Sequence, residues 1–300
     1  MREKILDSSG RVHKIRASKS VRLNRSKGGD ISIFVILTVF GVLMAIPMIY
    51  AISQSLKPLD ELWMFPPRFL VRNPTLKNFS DLFSLMSSSW VPVSRYVFNT
   101  VLISVVGTSG HLIFSSMCAY ALSKHQFKGR KVIFETIVLS LMFSTAVTAV
   151  PNFLVISKLG MMNTYWALIL PAFSSSMGLY LMKQFMEQMI PDSVLEAARI
   201  DGSGEFRTFW SIVMPMVKPG WLTLIVFSFQ GLWNTGATNL IQKESLKTLN
   251  YALSQVVNGG VTRAGAAAAG MVVMMIVPII MFLVTQSNII ETMSTSGMKD

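Results

Sequence analysis

Residues 264–290 of this 300-residue chain read AGAAAAGMVVMMIVPIIMFLVTQSNII, 27 consecutive positions without one Asp, Glu, Lys or Arg. Crossing about 30 Å of hydrocarbon at 1.5 Å per residue takes roughly 20 residues, so this stretch can cross a bilayer once. Because backbone amides in lipid must be hydrogen-bonded within their own segment, we expect a helix. The stretch therefore predicts a transmembrane helix.

Five further charge-free runs of 22 to 28 residues precede it, and the six together hold 151 residues, half of the chain. None of the six is long enough to cross twice. The five runs are 31–56, 96–123, 136–157, 159–182 and 219–242. We therefore predict an all-α polytopic membrane protein with six transmembrane helices. The expected spans, within a transmembrane domain of residues 31–290, are about 31–54, 97–122, 135–157, 164–183, 220–241 and 265–289.

The composition argues against a soluble enzyme. Only 14% of the residues are charged, against about 25% in soluble domains, and the mean hydropathy is +0.50. Cys118 is the one cysteine, so no internal disulfide can form. His13, His111 and His125 have no ligand spacing, so we expect no metal site. The dipeptide Gly-Lys is absent, which excludes a Walker A loop.

The charge distribution predicts the orientation of the chain. With the N-terminus in the cytoplasm, the inside segments carry 18 Lys and Arg in 86 residues and the outside segments carry nine in 76. This bias puts both tails, 1–30 and 291–300, in the cytoplasm. The basic tail 1–30 suits nucleic acid or anionic lipid. Lipid is favoured, because each cation near its surface gains about 1 kcal/mol, and we expect no nucleic-acid partner.

Polar residues inside the predicted spans are nearly all uncharged. His111 is the one ionisable group deep in a span, and a hydrogen bond to a neighbouring helix is a simpler role for it than a proton relay. The absence of an intramembrane carboxylate argues against an ion-coupled carrier. Neutral side chains in spans either line a path for a hydroxylated solute or hold helices together. The path candidates are Asn152, Ser174, Ser175, Gln230, Trp233 and Asn234, of which the last three are expected to share one helical face.

The loop after the fourth span predicts a short helix, a sharp break and a second short helix. Ser193 followed by Glu196 predicts a capping box at the start of the first helix. Ala197 and Ala198 leave a shallow surface that another protein can approach. Gly202 can adopt the left-handed conformation that ends the helix and turns the chain.

This loop, 186–218, resembles the EAA loop of ABC-importer permeases, the MetI-like inner-membrane components of binding-protein-dependent transport systems. The residues at the motif spacing are Glu196, Ala197, Ala198, Gly202, Ile212 and Pro215. Met214 is a departure, since leucine is usual there. Phe65-Pro66-Pro67 and the segments 119–123 and 292–299 are similar to the carbohydrate branch of the family, the MalG type.

The resemblance implies a division of labour between chains. A cytoplasmic ATPase subunit would dock on a set of loop residues, namely Glu196, Ala197, Ala198, Asp201, Gly202, Ile212 and Pro215. Glu196 could also cap its own helix, and the two roles are compatible. The tail residues Ser296, Gly297, Met298 and Lys299 would touch the ATPase as well. This chain would bind no cofactor, because ATP and Mg would be held by two partner ATPase subunits.

Three further partners are implied: a second homologous permease subunit forming a heterodimer, an extracytoplasmic sugar-binding protein that touches the loop 241–264, and membrane lipid. The implied location is the inner membrane of a bacterial cell. The resulting hypothesis is a permease without enzymatic activity that imports an oligosaccharide or monosaccharide by alternating access. The alternatives are an amino-acid or peptide permease, an ion-coupled secondary carrier, a channel, and a scaffold or sensor with the same fold.

Overall fold

The computed structural model describes residues 4–6, 12–14, 27–87, 90–236 and 239–296. The chain divides into two compact units, Met1–Tyr50 and Ala51–Asp300. Within the first unit, β1 (Lys4–Leu6) and β2 (Val12–Lys14) pair antiparallel with Lys4 opposite Lys14. The long apolar helix α1 (Lys27–Leu56) begins in this unit and ends in the second.

The regular secondary structure in the described residues of the second unit is all helical. Its helices are α2 (Leu59–Leu62), α3 (Lys77–Ser87), α4 (Val93–Lys124), α5 (Arg130–Ser140), α6 (Thr145–Lys158), α7 (Trp166–Phe173), α8 (Ser176–Met189), α9 (Asp192–Ile200), α10 (Glu205–Thr208), α11 (Met214–Met216), α12 (Lys218–Trp233), α13 (Leu249–Val257) and α14 (Ala264–Ser296). A π-helical turn, Phe209–Val213, joins α10 to α11, and short 3-10 turns form at Glu244–Leu246 and Val261–Arg263.

Helix α4 is the centre of the second unit and packs against α7, α8 and α12. Its buried face is polar in part, and Asn99 shows how the polar groups on this face find hydrogen-bond partners. The Asn99 amide donates to the carbonyls of Ser245 at 2.9 Å and Lys247 at 2.8 Å, and its Oδ1 accepts from the Tyr165 hydroxyl at 2.8 Å. These bonds tie the start of α4 to the segment that leads into α13.

Apolar side chains form two clusters near the two ends of α4. One cluster includes Tyr96 of α4 and joins it to α3, α12, α13 and α14. The other includes Tyr120 of α4, Met182 and Met186 of α8, and Leu195 of α9. The second cluster therefore fixes the loop between α8 and α12 to the end of α4.

Three of the six predicted spans are continuous helices long and apolar enough to cross a membrane, α1, α4 and α14. Two further helix pairs are bent, since α5 meets α6 at 112° and Glu205–Met216, from the predicted loop, meets α12 at 82°. The described residues thus offer three crossings, or five if each bent pair is one crossing. The count of six stays a prediction. The shorter apolar stretch at 248–262 forms α13, a loop helix.

The sequence predicts that each of three spans is one unbroken helix, namely 135–157, 164–183 and 220–241. The structure corrects this expectation for all three. The first of these breaks before Ser144, whose extended backbone (φ −70°, ψ 153°) starts α6. The second breaks at Ser174, whose hydroxyl donates to the Pro171 carbonyl at 3.0 Å and competes with the helical pattern. The third ends at Trp233, where the sequence Asn-Thr-Gly favours a turn.

Helix α8 approaches α4 and α12 closely at Gly178, and a substitution there tests this packing. A Cβ there would overlap the imidazole of His111 on α4 and lie 2.8 Å from Cδ1 of Leu224 on α12. We expect Gly178→Ala to destabilise the protein by about 1–3 kcal/mol, because the site has no room for a methyl group. Thermal unfolding of the purified protein in detergent measures this loss.

Gly231→Ala on α12 is the matched control, since no atom lies within 4 Å of its Cβ position. It should leave the unfolding temperature unchanged or raise it, because alanine favours a helix by about 1 kcal/mol. Equal unfolding temperatures for the two variants would contradict this packing.

Candidate functional site

Helix α9, the first helix of the loop, begins with Asp192 after Pro191. The Pro191 carbonyl accepts from the Val194 amide at 3.2 Å, and no side chain caps this end of the helix. The predicted Ser193–Glu196 capping box is therefore wrong, because the helix starts too early for Ser193 to be its N-cap.

Asp192 instead attaches the start of α9 to the end of α4. Its Oδ1 lies 2.8 Å from Nζ of Lys124, which also donates to the Ile190 carbonyl at 2.6 Å. The hydrogen bond from Lys124 lowers the pKa of Asp192 from its ordinary value, so this carboxylate stays ionised.

Gly202 ends α9 as the sequence predicts, with a φ of 76°. The Gly202 amide donates to the Arg199 carbonyl at 3.0 Å, and the Ser203 amide donates to the Ala198 carbonyl at 2.9 Å. This pair of bonds is a Schellman motif, which reverses the chain within two residues. The predicted break between the two short helices is confirmed.

Phe209 and Val213 anchor the second half of the loop, because their side chains are buried against α8 and α9. Ala198 is also buried, whereas Ala197 is exposed. The expectation that both alanines offer a surface to another protein is corrected for Ala198. It follows Leu195 by three positions, on the helix face that packs inward.

The outward face of the loop is apolar at its centre. Ile200 is 86% exposed and Phe206 is 72% exposed, while Trp210 packs edge-on to Phe206 with ring centroids 6.3 Å apart. Sequence reasoning missed these three residues, although Ile200 lies off the inward face that Leu195 and Ala198 define on α9. Of the predicted docking residues, Glu196, Asp201, Gly202 and Pro215 are exposed around this face, and Ile212 is half-buried.

Glu205 holds the loop to α4. Its Oε2 accepts from the Tyr120 hydroxyl at 2.9 Å and lies 3.4 Å from Nε2 of His125, and its Oε1 lies 3.3 Å from the guanidinium of Arg199. The hydrogen bond from Tyr120, with the neighbouring positive charges, holds the pKa of Glu205 below its ordinary value. One carboxylate therefore joins α4, α9 and α10.

The solute-path candidates separate into different environments. Trp233 is buried, donates from Nε1 to the Met274 carbonyl at 3.1 Å and stacks on Phe229. Gln230 and Asn234 are exposed. The expectation that all three share one face is wrong, because the large indole turns into the core.

Asn152 of α6 and Ser174, at the end of α7, line one cleft of about 450 Å³. Phe114 and Phe173 stack in the same cleft with ring centroids 5.3 Å apart, and sequence reasoning did not bring them together. Ser175, the remaining candidate, is half-buried beside the cleft residue Ser174. An amide, a hydroxyl and an aromatic face suit contact with a neutral sugar.

His111 joins two helices, as its uncharged surroundings predict. Its Nδ1 lies 3.0 Å from Oγ of Ser228 on α12. Of the predicted tail contacts, Ser296 is the last residue of α14, while Gly297, Met298 and Lys299 lie outside the described residues.

A family model described as "Binding-protein-dependent transport system inner membrane component" matches residues 111–293. The match runs from the middle of α4 through the loop to α14. The chain therefore belongs to this family of membrane transport permeases.

Relatives extend the likeness over most of the chain. It is 32% identical over 220 residues to the protein LplC of Bacillus subtilis, covering 71% of this chain and 70% of LplC. It is 30% identical over 271 residues to the sn-glycerol-3-phosphate transport system permease protein UgpE of Yersinia enterocolitica, with 88% and 95% covered. It is 28% identical over 268 residues to the diacetylchitobiose uptake system permease protein NgcG of Streptomyces coelicolor, with 86% and 85% covered.

A solved structure shares the fold. It is the crystal structure of a bacterial ABC transporter involved in the import of the acidic polysaccharide alginate. The likeness has a TM-score of 0.73 at 24% identity and covers 89% of this chain and 99% of the other.

The Glu205 attachment predicts a pH-dependent part of the stability. Because the folded-state pKa of Glu205 is lowered, its contribution is complete above the ordinary glutamate value of 4.5 and is lost as pH falls through the lowered value. Glu205→Gln should therefore lower the unfolding temperature at pH 7, and the difference from wild type should shrink under acid. Scanning calorimetry in detergent at several pH values measures the difference.

Glu135→Gln is the control, because Glu135 is an exposed carboxylate 3.8 Å from Lys131 on the surface of α5. Surface pairs of this kind contribute little, so the unfolding temperature should hardly change. A Glu205→Gln difference that is the same at every pH would count against the ionised link.

Proposed function

We propose that this chain is one of two permease subunits in an ATP-driven importer, and that it moves a carbohydrate delivered by an extracytoplasmic binding protein into the cell. The observation that carries the proposal is the exposed apolar face around Ile200 and Phe206. This face lies on a loop between α8 and α12 that is fastened to α4. Exposed apolar side chains rimmed by charge are typical of a protein contact.

The proposed occupant of this face is a cytoplasmic ABC ATPase. Glu196 and Arg199 flank the apolar centre, and Ala197 leaves room for close approach. Since the same loop continues into α8 and α12, a movement of the ATPase would reach helices that pack on α4. Coupling of this kind requires the contact to differ between the two states of the transporter.

A second permease subunit is proposed against α6. Among the side chains of α6, Ile156 is the one that is buried, and the exposed set includes the carboxamide of Asn152. An exposed carboxamide at membrane depth is better served by another protein or by a hydrated path than by lipid. The Asn152–Ser174 cleft would then lie along the solute path between subunits.

The proposed solute is an uncharged saccharide. The cleft lining holds aromatic, amide and hydroxyl side chains and carries no ionised group. A permease for diacetylchitobiose is among the relatives.

The remaining parts of the assembly are also proposals. Both termini would lie in the cytoplasm of a bacterial cell, with the loop 241–264 facing the binding protein outside. ATP and Mg would be bound by the ATPase subunits, and this chain would not be an enzyme. The C-terminal residues, including Ser296, would add a second ATPase contact.

Glu196→Lys should abolish uptake and the co-purification of the ATPase, because it reverses the charge at the rim of the docking face. The tagged full-length chain is isolated from its native host, and the ATPase is measured as nucleotide hydrolysis and identified by mass spectrometry. Glu135→Lys, an equal charge change on exposed α5, should retain the ATPase. Full retention of the ATPase by Glu196→Lys would overturn the docking proposal.

Asn152→Leu should lower saccharide uptake about tenfold, the effect of losing one hydrogen bond of about 1.4 kcal/mol from the path. The ATPase should remain bound in this variant. Thr148→Val, one turn away on α6, is the control, since the Thr148 hydroxyl is satisfied by its own helix at 3.3 Å. Uptake is measured with the saccharide that a ligand screen of the binding protein identifies. Equal uptake by both variants would remove Asn152 from the path.

A further inference from the structure

The turn between α4 and α5 forms a cleft of about 500 Å³ that the transport mechanism does not use. It lies on the same side of the molecule as the loop 186–218. Lys124, just before it, pairs with Asp192 of α9, and Arg130, within it, lies 3.7 Å from Glu187 of α8. The cleft is therefore close to the end of α8 and the start of α9.

Three cations line this cleft, Arg130, Lys131 and Lys183, and its lining includes no carboxylate. Lys183 is the least expected of them, because its side chain is 8% exposed on a helix predicted to enter the membrane. Its Nζ lies 4.0 Å from the centroid of the Phe134 ring. A buried cation at the end of a predicted span marks a candidate site for a ligand.

The positive charge of the cleft is only partly neutralised. The same oxygen of Glu187 serves both Lys183, at 2.6 Å, and Arg130, at 3.7 Å. Lys131 lies 3.8 Å from Glu135, but its side chain is 89% exposed, so solvent screens this pair. The arrangement leaves room for a further anion beside Arg130 and Lys131.

The surface that continues from the cleft along α5 is apolar. Val132, which lines the cleft, is 65% exposed, and Leu139, two turns further on, is 58% exposed. No side chain of α5 is buried. A ligand that fits both parts has an anionic head and an aliphatic body.

The geometry points to a binding site for an anionic phospholipid: the phosphate-bearing headgroup lies between Arg130, Lys131 and Lys183, and the acyl chains lie along α5. Basic pockets between membrane helices hold such headgroups by charge. The assignment to the cytoplasmic leaflet rests on the proposed function, which puts the loop 186–218 in the cytoplasm. The binding chemistry itself does not depend on transport.

Lipid binding to the purified full-length chain tests this site directly. Native mass spectrometry in detergent counts bound phosphatidylglycerol, with phosphatidylcholine and inorganic phosphate as separate titrations. We expect phosphatidylglycerol to bind and the other two not to bind. Lys131→Gln, whose exposed position leaves the fold unchanged, should weaken binding about fivefold, which corresponds to about 1 kcal/mol. Arg130→Gln combined with Lys131→Gln should weaken it about 25-fold.

Lys128→Gln is the matched control, because Lys128 is an exposed cation of the same turn that does not line the cleft. Its effect should stay below about twofold. An equal loss in Lys128→Gln and Lys131→Gln, equal binding of the two lipids, or binding of phosphate alone would each overturn the site. Because the assay contains no ATPase and measures no uptake, its failure is distinguishable from failure of the transport proposal.

Discussion

The contact among α4, α8 and α12 depends on positions where a Cβ atom would collide with a neighbouring helix, and two of them lie against α4 or on it. Any Cβ at Gly178 of α8 would collide with His111, and any Cβ at Gly107 of α4 would collide with Leu232 of α12. Because both helices approach α4 this closely, the His111–Ser228 bond can form across the interface. In an apolar solvent, where burial of aliphatic surface gives little driving force, such close packing and interhelical bonds hold helices together.

This packing sets the position of the loop 186–218. Helix α8 enters the loop and α12 leaves it, so the two ends of the loop are held by the same neighbour. Polar contacts then fasten its middle, through Lys124 to Asp192 and through Tyr120 to Glu205. The loop thus has two kinds of attachment, apolar at Phe209 and Val213 and ionic at its rim. What is left on the outside is a compact apolar face, available to a second protein.

Much of the fold follows from the sequence, and the parts that do not have physical reasons. Charge-free runs report where a helix is long enough to cross lipid, but hydropathy is unchanged by the bends before Ser144 and at Ser174. The turn at Gly202 is predictable because only glycine adopts its φ of 76° without strain. The start of α9 is not predictable in this way, since the Pro191 carbonyl accepts a hydrogen bond where a side-chain cap was expected.

The candidate site is likewise predictable from the sequence only in part. The motif spacing predicts the loop, but burial of Ala198 depends on which face of α9 meets α8, and that is set by tertiary packing. Phe114 and Phe173 are far apart in the chain, so their stacking has no local signal. The indole of Trp233 is large enough that burial, with its N–H satisfied by Met274, outweighs the amphipathic pattern of its neighbours.

The π-helical turn at Phe209–Val213 restricts which insertions and deletions this segment of the sequence tolerates. A π turn holds one residue more than an α turn, and one residue is about 100° of helical rotation. With the extra residue, Phe209, Val213 and Val217 all point inward at intervals of four, while Phe206 and Trp210 point outward. Deleting any one residue here would leave a regular helix whose inner and outer faces no longer match those of α12. Natural insertions and deletions in related chains should therefore avoid these five positions and accumulate in the turns on either side.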